Sequence, residues 1–571
     1  MEGITWSSQD FRDTDLHPMV RISSCCWGAP GAICHALLQE RVQIASRECH
    51  PVLKVIKTRK PDERRCSLSL EHNSRQMTRK VTSSVAWTGL LHAVALAVNI
   101  VFTAVLARLL TPADFGVMAG AMIFLSFAQT VSRSGIAPTL VQMQKLTVAD
   151  LRGAFTLGLV LAAAVFGLLE VLAPFAAHFL RLEAIEAVLR ALAFVLLFEA
   201  LGMIAETLLI RRLEVRRVMI IEIFGRVIGT GTVGISLAFL GWGFWALVAA
   251  KLTEAAFKSV TLLFVVRPPF TPLLGRESLQ RLFPKTAGFT VRQLLNFVAL
   301  NADYAIVGRY FDAASLGLYT RAYHLMNLPS DFYAKVAGRI VFPAMARVQG
   351  EPARLKAAFL RGLSLTALLG LPLCAVFFVL ARDLVWVLLG GQWLGVVPIF
   401  MVLVASMYLR LGAKVSGQLL NASGSVLTLV ITQAIYAATV IAACLLAYPY
   451  GLLTLAGAVA AAIFVHFCII SAVGCRRAGA SALDFVGAHV HGTLLAVLTG
   501  SLTWAAAAPW WSVNFQGLIP VVSSALILSL LAGVLIGFRP RILLGSSGAE
   551  FLAGMQSLVA NRFPNFVRRA A

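Results

Sequence analysis

From Val85 to Phe538 the chain is a succession of apolar runs, most of them close to 20 residues long. An α-helix of that length spans the hydrocarbon core of a bilayer. Because backbone groups in lipid must be satisfied within the protein, consecutive runs of this kind predict a helical bundle. Fourteen segments are predicted, at 85–107, 114–132, 154–178, 190–209, 219–240, 243–266, 286–308, 314–345, 358–380, 388–409, 425–447, 451–473, 484–508 and 517–538.

The composition also favours an all-α integral membrane protein. Charged residues are 13% of the chain, against about a quarter in globular domains. The net charge of +22 is not a nucleic-acid signal, because the basic residues lie between apolar segments and not in one patch. No ATP-binding Gly-Lys loop, zinc-protease helix or serine-hydrolase elbow is present, so we predict no enzyme, no catalytic or metal-binding residue and no cofactor. A membrane polymerase would need a long external loop, which the short connections do not provide.

Residues 1–76 differ in kind from the rest of the chain. They hold eleven Lys and Arg, nine Asp and Glu, and five Cys, without helical or strand periodicity. No apolar core of a signal peptide is present, and the adjacent Cys-His pairs lack the usual spacing of zinc ligands. We therefore predict a disordered or non-native N-terminal extension, with the membrane protein starting at Met77.

The distribution of basic residues predicts the orientation. With a cytoplasmic N-terminus, 24 Lys and Arg fall in inner connections and five in outer ones. Cytoplasmic loops carry the excess of positive charge in membrane proteins. Both termini are therefore predicted to be cytoplasmic.

An internal repeat divides the segments into two groups of six. Residues 108–116 match residues 309–317, with Arg aligned on Arg and Gly on Gly, and two further matches follow in the same order. Because six is even, the repeats are parallel and are expected to surround a central cavity. The predicted parts are an N-lobe at 77–285, a C-lobe at 286–480, two extra helices at 481–538 and a cytoplasmic tail at 539–571.

Two adjacent segments carry polar stripes that a lipid-facing helix would not tolerate. Arg292, Asn296 and Asp303 share one face of segment 7. Since a charge at bilayer depth costs about 3 kcal/mol, such residues are expected to face the bundle interior or a wet cavity. The stripe on segment 8 consists of Arg321, His324, Asn327, Asp331 and Lys335.

Other charges in the segments have simpler explanations. Glu222 with Arg226, and Glu254 with Lys258, have the spacing of ion pairs along one helix and are interpreted as structural. Glu199 and Glu206 are candidate proton sites, or equally packing partners of the basic residues on segments 5 and 6.

Several short motifs lie at 107–116, 241–248, 300–303, 307–310, 316–323, 326–329 and 342–343. Together these motifs resemble those of the polysaccharide flippases of the Wzx type, in the multidrug/oligosaccharidyl-lipid/polysaccharide exporter superfamily. The similarity extends from about residue 77 to about residue 480 and weakens beyond it. The resemblance implies two six-helix lobes around a central cavity plus two C-terminal helices.

The resemblance further implies transport of undecaprenyl-pyrophosphate-linked oligosaccharide units across a bacterial inner membrane, for exopolysaccharide or lipopolysaccharide synthesis. The expected partners are that anionic lipid-linked saccharide, membrane lipids and the polymerase or export machinery, with no nucleic acid. A scaffold for polymer assembly stays open. The runner-up function is a cation-coupled drug or metabolite antiporter, although segment 1 lacks the acidic residues that a cationic drug would require.

A pyrophosphate requires cations, and arginine can bind it with two parallel hydrogen bonds. We expect Arg292 and Arg321 to hold it, with Arg309 nearer the outer mouth, Asp303 adjusting the grip and Lys335 adding positive charge. The alternative is that these arginines only neutralise Asp303 and Asp331 inside the bundle.

Overall fold

Helices account for nearly all of the chain that the computed structural model describes, which is 91–133, 135–143, 147–267, 296–512 and 517–538, with Trp87, Gly89, Gln293 and Leu294. We number the helices α1–α16 in chain order. The first seven are α1 Leu91–Leu109, α2 Pro112–Arg133, α3 Ile136–Gln142, α4 Val148–Leu180, α5 Ala184–Arg211, α6 Val215–Phe239 and α7 Phe244–Val266.

The second group begins with α8, which covers 296–310 of the described residues. It continues with α9 Ala313–Arg347, α10 Pro352–Val379, the short α11 Ala381–Leu388, α12 Val396–Ala422, α13 Val426–Ala447 and α14 Leu452–Ala478. The last two helices are α15 Ala482–Ser512 and α16 Leu518–Phe538.

Side-chain caps explain where several helices begin. Thr147 and Asp150 form a capping box at the start of α4, each side chain accepting from the other residue's backbone N–H. Thr111 and Asp114 exchange the same two bonds at the start of α2. At the start of α9, the Asp312 carboxylate accepts from the Ser315 N–H. These side chains satisfy amide groups that have no partner within the helix.

Ten helices of the described residues are long and apolar enough to cross a membrane, so the prediction of a multi-helix membrane protein is confirmed. The described residues form no strand, as predicted. The count of fourteen spans stays a prediction. One reason is charge: α7 carries Lys251, Glu254 and Lys258 within eight residues. The predicted extension at 1–76 and tail at 539–571 lie outside the described residues.

Following the sequence prediction, we call α1–α7 the N-lobe and α8–α14 the C-lobe. The largest cluster of buried apolar residues contains members of both groups. In the N-lobe a core of buried Leu, Val and Ala side chains lies between α2, α4 and α5. In the C-lobe α12 is central and packs on α9, α10 and α14. Between the groups α2 packs along α9. The boundary between the lobes at 285/286 lies outside the described residues and stays a prediction.

A glycine-rich stretch of α6 forms a π-helical turn at Val227–Gly234. The wider turn brings Gly229 so close to α7 that an added Cβ would lie 2.6 Å from the Ala250 carbonyl oxygen. The π turn thus interrupts the regular α-helix, and the glycine packs closely on α7.

Candidate functional site

A cavity of about 380 Å³ lies in the C-lobe, among α8, α9, α12, α13 and α14. It is situated toward the end of the bundle where α12 joins α13. The polar residues that line it are Asn296, Asn327, Arg410, Lys414, Gln418, Asn421, Gln433, Tyr436 and His466.

Helical spacing explains why these residues converge. Arg410, Lys414 and Gln418 are four residues apart on α12, and Gln433 and Tyr436 are three apart on α13. Residues separated by three or four positions lie on the same side of a helix. The cavity therefore lies where the polar sides of several helices meet.

Arg410 is held at the wall of this cavity by tyrosines. Its Nη2 donates to the hydroxyl of Tyr323, and to that of Tyr436 at 3.4 Å. Its guanidinium carbon also lies 4.7 Å from the centre of the Tyr323 ring. An arginine over an aromatic face is stabilised by the cation–π interaction, and the bonds limit its rotamers. The cation is therefore preorganised.

Asp303 is the buried acid behind this arginine. Its carboxylate accepts a 2.9 Å hydrogen bond from the Tyr319 hydroxyl. Tyr304 packs edge-on against Tyr319 and Tyr323. Among the described residues, Arg410 is a cation that interacts electrostatically with Asp303. From the sequence, the ionic partner of Asp303 could be Arg292, Arg309 or Arg321. Neither Arg309 nor Arg321 is bonded to Asp303 in the structure.

Arg321 lies at the contact between the lobes. Its guanidinium carbon is 4.4 Å from the centre of the Phe115 ring on α2. Its Nε is buried and has no hydrogen-bond partner among the described residues. One turn further along α9, His324 lies 3.5 Å from Asn99 on α1. Two residues of the predicted polar stripe therefore contact the N-lobe, whereas Asn327 of the same stripe lines the C-lobe cavity.

Arg309 contacts backbone groups of the N-lobe. Its Nη1 donates to the carbonyl oxygens of Phe179 at 2.8 Å and His178 at 3.3 Å, at the end of α4. The equivalent residue of the repeat, Arg108, donates at 2.8 Å to the Val387 carbonyl oxygen at the end of α11. Each arginine of the repeated motif thus binds a helix end in the opposite lobe.

Two further donors close the same end of the bundle. The Trp393 indole N–H donates to the Ala107 carbonyl oxygen at 2.7 Å. Gln392 donates to the same oxygen and to that of Leu110, at 3.1 Å. We call the bonds made by Arg108, Arg309, Gln392 and Trp393 the latch. The latch lies at the end of α8 opposite to the cavity.

Of the predicted site residues, Arg292 and the side chain of Lys335 lie outside the described residues. The same holds for the side chain of Asp331, although the backbones of Lys335 and Asp331 belong to α9. The structure thus brings Asp303 together with Arg410, Arg321 with Phe115, and Arg309 with the end of α4.

The charges of the N-lobe form ion pairs between helices. Lys258 Nζ on α7 lies 2.8 Å from Glu222 on α6 and 3.2 Å from Glu206 on α5. Arg226 on α6 lies 3.6 Å from Glu254 on α7. The interpretation of these charges as structural agrees with the pairing. The partners differ from those predicted, however. The predicted pairs lay within one helix, whereas the observed pairs join neighbouring helices, because α6 and α7 pack side by side.

Arg410 and Lys414 are the cavity cations that sequence reasoning missed. It ended segment 10 at residue 409 and interpreted both residues as cytoplasmic topology signals. The helix continues to Ala422, so both lie within it. Arg410, Lys414 and Gln418 are spaced four residues apart. This spacing is typical of one side of a helix and could have indicated that the helix continues beyond residue 409.

The chain is similar in sequence to known proteins of polysaccharide biosynthesis. A family model described as "Polysaccharide biosynthesis protein" matches residues 105–398. The teichuronic acid biosynthesis protein TuaB of Bacillus subtilis (strain 168) is 25% identical over 350 residues, 61% of this chain and 72% of TuaB. The lipopolysaccharide biosynthesis protein WzxC of Escherichia coli (strain K12) is 23% identical over 354 residues, covering 61% of this chain and 71% of WzxC.

Solved structures share the fold. The lipid II flippase MurJ in an inward closed conformation has a TM-score of 0.61 at 11% identity, and the match covers 79% of this chain and 100% of MurJ. A multidrug resistance transporter of the MATE family, inward-facing, has a TM-score of 0.56 at 15% identity, covering 67% of this chain and 94% of the transporter. Both similarities concern the architecture alone.

Proposed function

The chain belongs to the polysaccharide biosynthesis protein family, and from this premise we propose that it is a flippase for lipid-linked oligosaccharides. Its substrate would be an undecaprenyl-pyrophosphate-linked repeat unit, carried from the inner to the outer leaflet by alternating access. The family supports the prediction of a multi-pass membrane protein that transports and is not an enzyme, and solved transporters share its fold.

The observation that carries the proposal is the polar, cationic cavity inside an apolar bundle. Arg410 and Lys414 line it, together with several carboxamides. Polar groups inside a membrane protein are costly and are found where a polar substrate or ion must pass. A cationic wall fits an anionic glycolipid head and disfavours the cationic drug of the antiporter alternative.

The latch supports alternating access. The described lobes are joined at one end by arginine–carbonyl bonds, and the cavity lies toward the other end. Release of substrate on the latched side would require these bonds to break. When the bonds form again, the cavity would open once more to the side opposite the latch. With the orientation predicted from basic residues, the latched side faces outward and the cavity faces the cytoplasm.

We assign the pyrophosphate to Arg321, because this residue lies between the lobes and retains a buried Nε–H without a partner among the described residues. The role of Arg292 as a second cation for the pyrophosphate stays a proposal from the sequence. Arg309 acts at the latch, toward the proposed outer mouth. Asp303 restrains Arg410 through their opposite charges, and Lys335 would add positive charge further along α9. The proposed location is a bacterial inner membrane, where polymerase and export machinery would receive the product.

A deletion strain tests the function. Loss of the protein should cause lipid-linked oligosaccharide to accumulate on the cytoplasmic leaflet and polymer export to fall. Both defects should be reversed by the full chain. Accumulation of a cationic drug or metabolite instead, with normal levels of lipid-linked saccharide, would favour the antiporter and exclude the flippase.

A further inference from the structure

Two helix connections combine exposed aromatic side chains with a lack of charge. Residues 240–243 join α6 to α7, and no Lys, Arg, Asp or Glu occurs at 227–250. Residues 448–451 join α13 to α14, and none of these residue types occurs at 415–475. We call the two connections the N-turn and the C-turn. The exposed apolar and aromatic side chains at the N-turn are Phe239, Leu240, Trp242 and Trp245, and those at the C-turn are Leu446, Tyr450 and Leu453.

Both turns lie at the end of the bundle that the latch closes. In the N-turn, a Cβ atom added to Gly243 would lie 2.9 Å from the carboxylate of Asp114, at the start of α2. In the C-turn, the Tyr448 ring stacks on that of Tyr310, with centres 4.0 Å apart, next to Arg309 of the latch. The N-turn joins segments 5 and 6 of the sequence, and the C-turn joins segments 11 and 12. Each lobe therefore carries one such turn at the same position of its repeat.

The backbone of the N-turn leaves Trp242 exposed. α6 ends in a Schellman motif, in which the Trp242 N–H donates to the Leu237 carbonyl oxygen at 3.1 Å. The Gly241 N–H donates to the Ala238 carbonyl oxygen, also at 3.1 Å. Gly241 and Gly243 have φ angles of +77° and +56°, which residues with a side chain rarely adopt. The tryptophan between these glycines is 57% exposed.

The exposed side chains of both turns continue the outer surfaces of helices that can span a membrane. Phe224 on α6 is 56% exposed, and Leu427 on α13 is 73% exposed. In a membrane protein such outward apolar side chains face the acyl chains. The connection between α4 and α5 at the same end is different, because it contains Arg181 and Glu183, both exposed. Position at the latched end alone therefore does not explain the two uncharged turns.

We propose that the N-turn and the C-turn are interfacial anchors, which hold the latched end of each lobe at the boundary between lipid headgroups and acyl chains. Tryptophan and tyrosine prefer this boundary because each combines an apolar ring with a polar N–H or O–H group. Trp242 and Tyr450 lie at the level of the headgroups, and Phe239 and Leu446 contact the acyl chains beneath them. The inference concerns the position of the protein in the bilayer and does not depend on the transported substrate.

The bilayer fits these turns better than a partner protein does. Protein interfaces surround their apolar centre with a polar rim, whereas the segments on both sides of each turn carry no charge. The turns are also continuous with surfaces that meet lipid. A partner protein is the alternative that the experiment must exclude.

Depth measurements on the full chain in vesicles of phosphatidylethanolamine and phosphatidylglycerol test the anchors. In a variant without native cysteines, a nitroxide label is attached at position Leu240, Leu446 or Glu183, the last being the control at the same end. Electron paramagnetic resonance then measures how often each label collides with oxygen, which concentrates in the bilayer, and with a water-soluble nickel complex. The oxygen-to-nickel ratio should be severalfold higher at Leu240 and Leu446 than at Glu183.

Removal of single rings makes the test specific. Trp242→Ala should shift the Leu240 label toward water and lower its ratio, whereas Trp242→Tyr should retain the depth because an interfacial ring with a polar group remains. Tyr450→Ala should have the same effect on the Leu446 label. The matched control Phe224→Ala removes a ring of similar exposure from the same helix, away from the turn, and should change neither ratio. Because all three rings are exposed, these variants are expected to fold.

Equal ratios at Leu240, Leu446 and Glu183 would place both turns in water and overturn the anchors, leaving a partner protein as the occupant. Unchanged ratios in both Trp242→Ala and Tyr450→Ala would also overturn them, because the helices alone would then set the depth. Neither result affects the deletion strain, in which accumulation of lipid-linked saccharide tests the flippase function separately.

Discussion

Gly116 and Gly317 lie against each other where α2 crosses α9. A Cβ atom added to Gly317 would lie 3.2 Å from the backbone nitrogen of Gly116 and would overlap the Pro112 carbonyl oxygen. One added to Gly116 would overlap the Ala313 carbonyl oxygen. These are the equivalent glycines of the repeated motif, so the two lobes meet through the same position of each repeat. The contact requires residues without side chains, because backbone meets backbone.

The glycine contact can be tested by adding a methyl group. Gly116→Ala and Gly317→Ala should each destabilise the protein by about 1–3 kcal/mol, the usual cost of overpacking. Thermal unfolding in detergent would measure the loss. Gly167→Ala is the matched control on α4, since no atom lies within 4 Å of its added Cβ. If the three variants are equally stable, α2 and α9 can move apart enough to accommodate the added methyl group.

The latch predicts a change in conformation and not in folding. Arg309→Ala removes two bonds to the end of α4, and each hydrogen bond from a charged donor is worth about 1.5–3 kcal/mol. The latched state should therefore become less populated. Distances between spin labels at Glu183 and Leu394, on opposite lobes, should shift to longer values. Arg309→Lys should restore part of the short-distance population, and an unchanged distribution in Arg309→Ala would contradict the latch.

Arg321 is predicted to affect transport more than stability. Arg321→Ala should weaken substrate binding by about 1.5–3 kcal/mol, or one to two decades of affinity, because a charge-assisted contact is lost. Arg321→Lys should recover part of it, since the charge stays but the planar fork is lost. Polymer export at equal protein level is the measurement. Recovery of export in an Arg321→Ala, Asp303→Asn double variant would mean that Arg321 only neutralises the acid.

Asp383 should anchor the last two helices. Its buried carboxylate accepts from the Trp511 indole N–H at 2.9 Å and from the Gly517 backbone N–H at 3.0 Å. Asp383→Ala should cost about 1.5–3 kcal/mol per lost bond and increase proteolysis between α15 and α16. Lys356→Ala, which removes a partly exposed pair with Asp484, should cost about 0–1 kcal/mol. Equal proteolysis of the two variants would argue against the anchor.

The orientation leads to a labelling experiment. In a variant without native cysteines, a single cysteine at Arg382 should react with an impermeant reagent from outside the cell. One at Arg477 should react only after the inner membrane is opened. Both positions are exposed in the structure, so access depends on the side of the membrane. The reverse pattern would overturn the cytoplasmic termini and the latch as an outer closure.

Much of the fold was predictable because membrane helices are defined by local sequence. Apolar length gave segments 9 and 14 close to α10 and α16. The predicted ends of helices were less accurate where a helix continues with polar residues that line a cavity. For example, α12 extends thirteen residues beyond the predicted end at 409. A polar helix end and a cytoplasmic connection have the same composition, so the sequence could not separate them.

The candidate site was predicted only in part. Asp303 and Arg321 were expected inside the bundle, and both are, because their cost in lipid is a local property. Their partners were not predictable. Among the described residues, a cation that interacts electrostatically with Asp303 is Arg410, more than 100 positions away in the sequence, and Arg309 bonds to the backbone of α4.

The sequence by itself determined the membrane class, the helical architecture, the repeated motif and the residue types that can hold an anion. Each of these follows from hydrophobic length, from charge or from a local pattern. Tertiary structure alone decided that Gly116 meets Gly317, that Arg108 and Arg309 bind the opposite lobes, and that Arg410 lines the cavity. These contacts depend on how the helices pack, and the backbone carbonyls and ring faces involved leave no distinctive residue in the sequence.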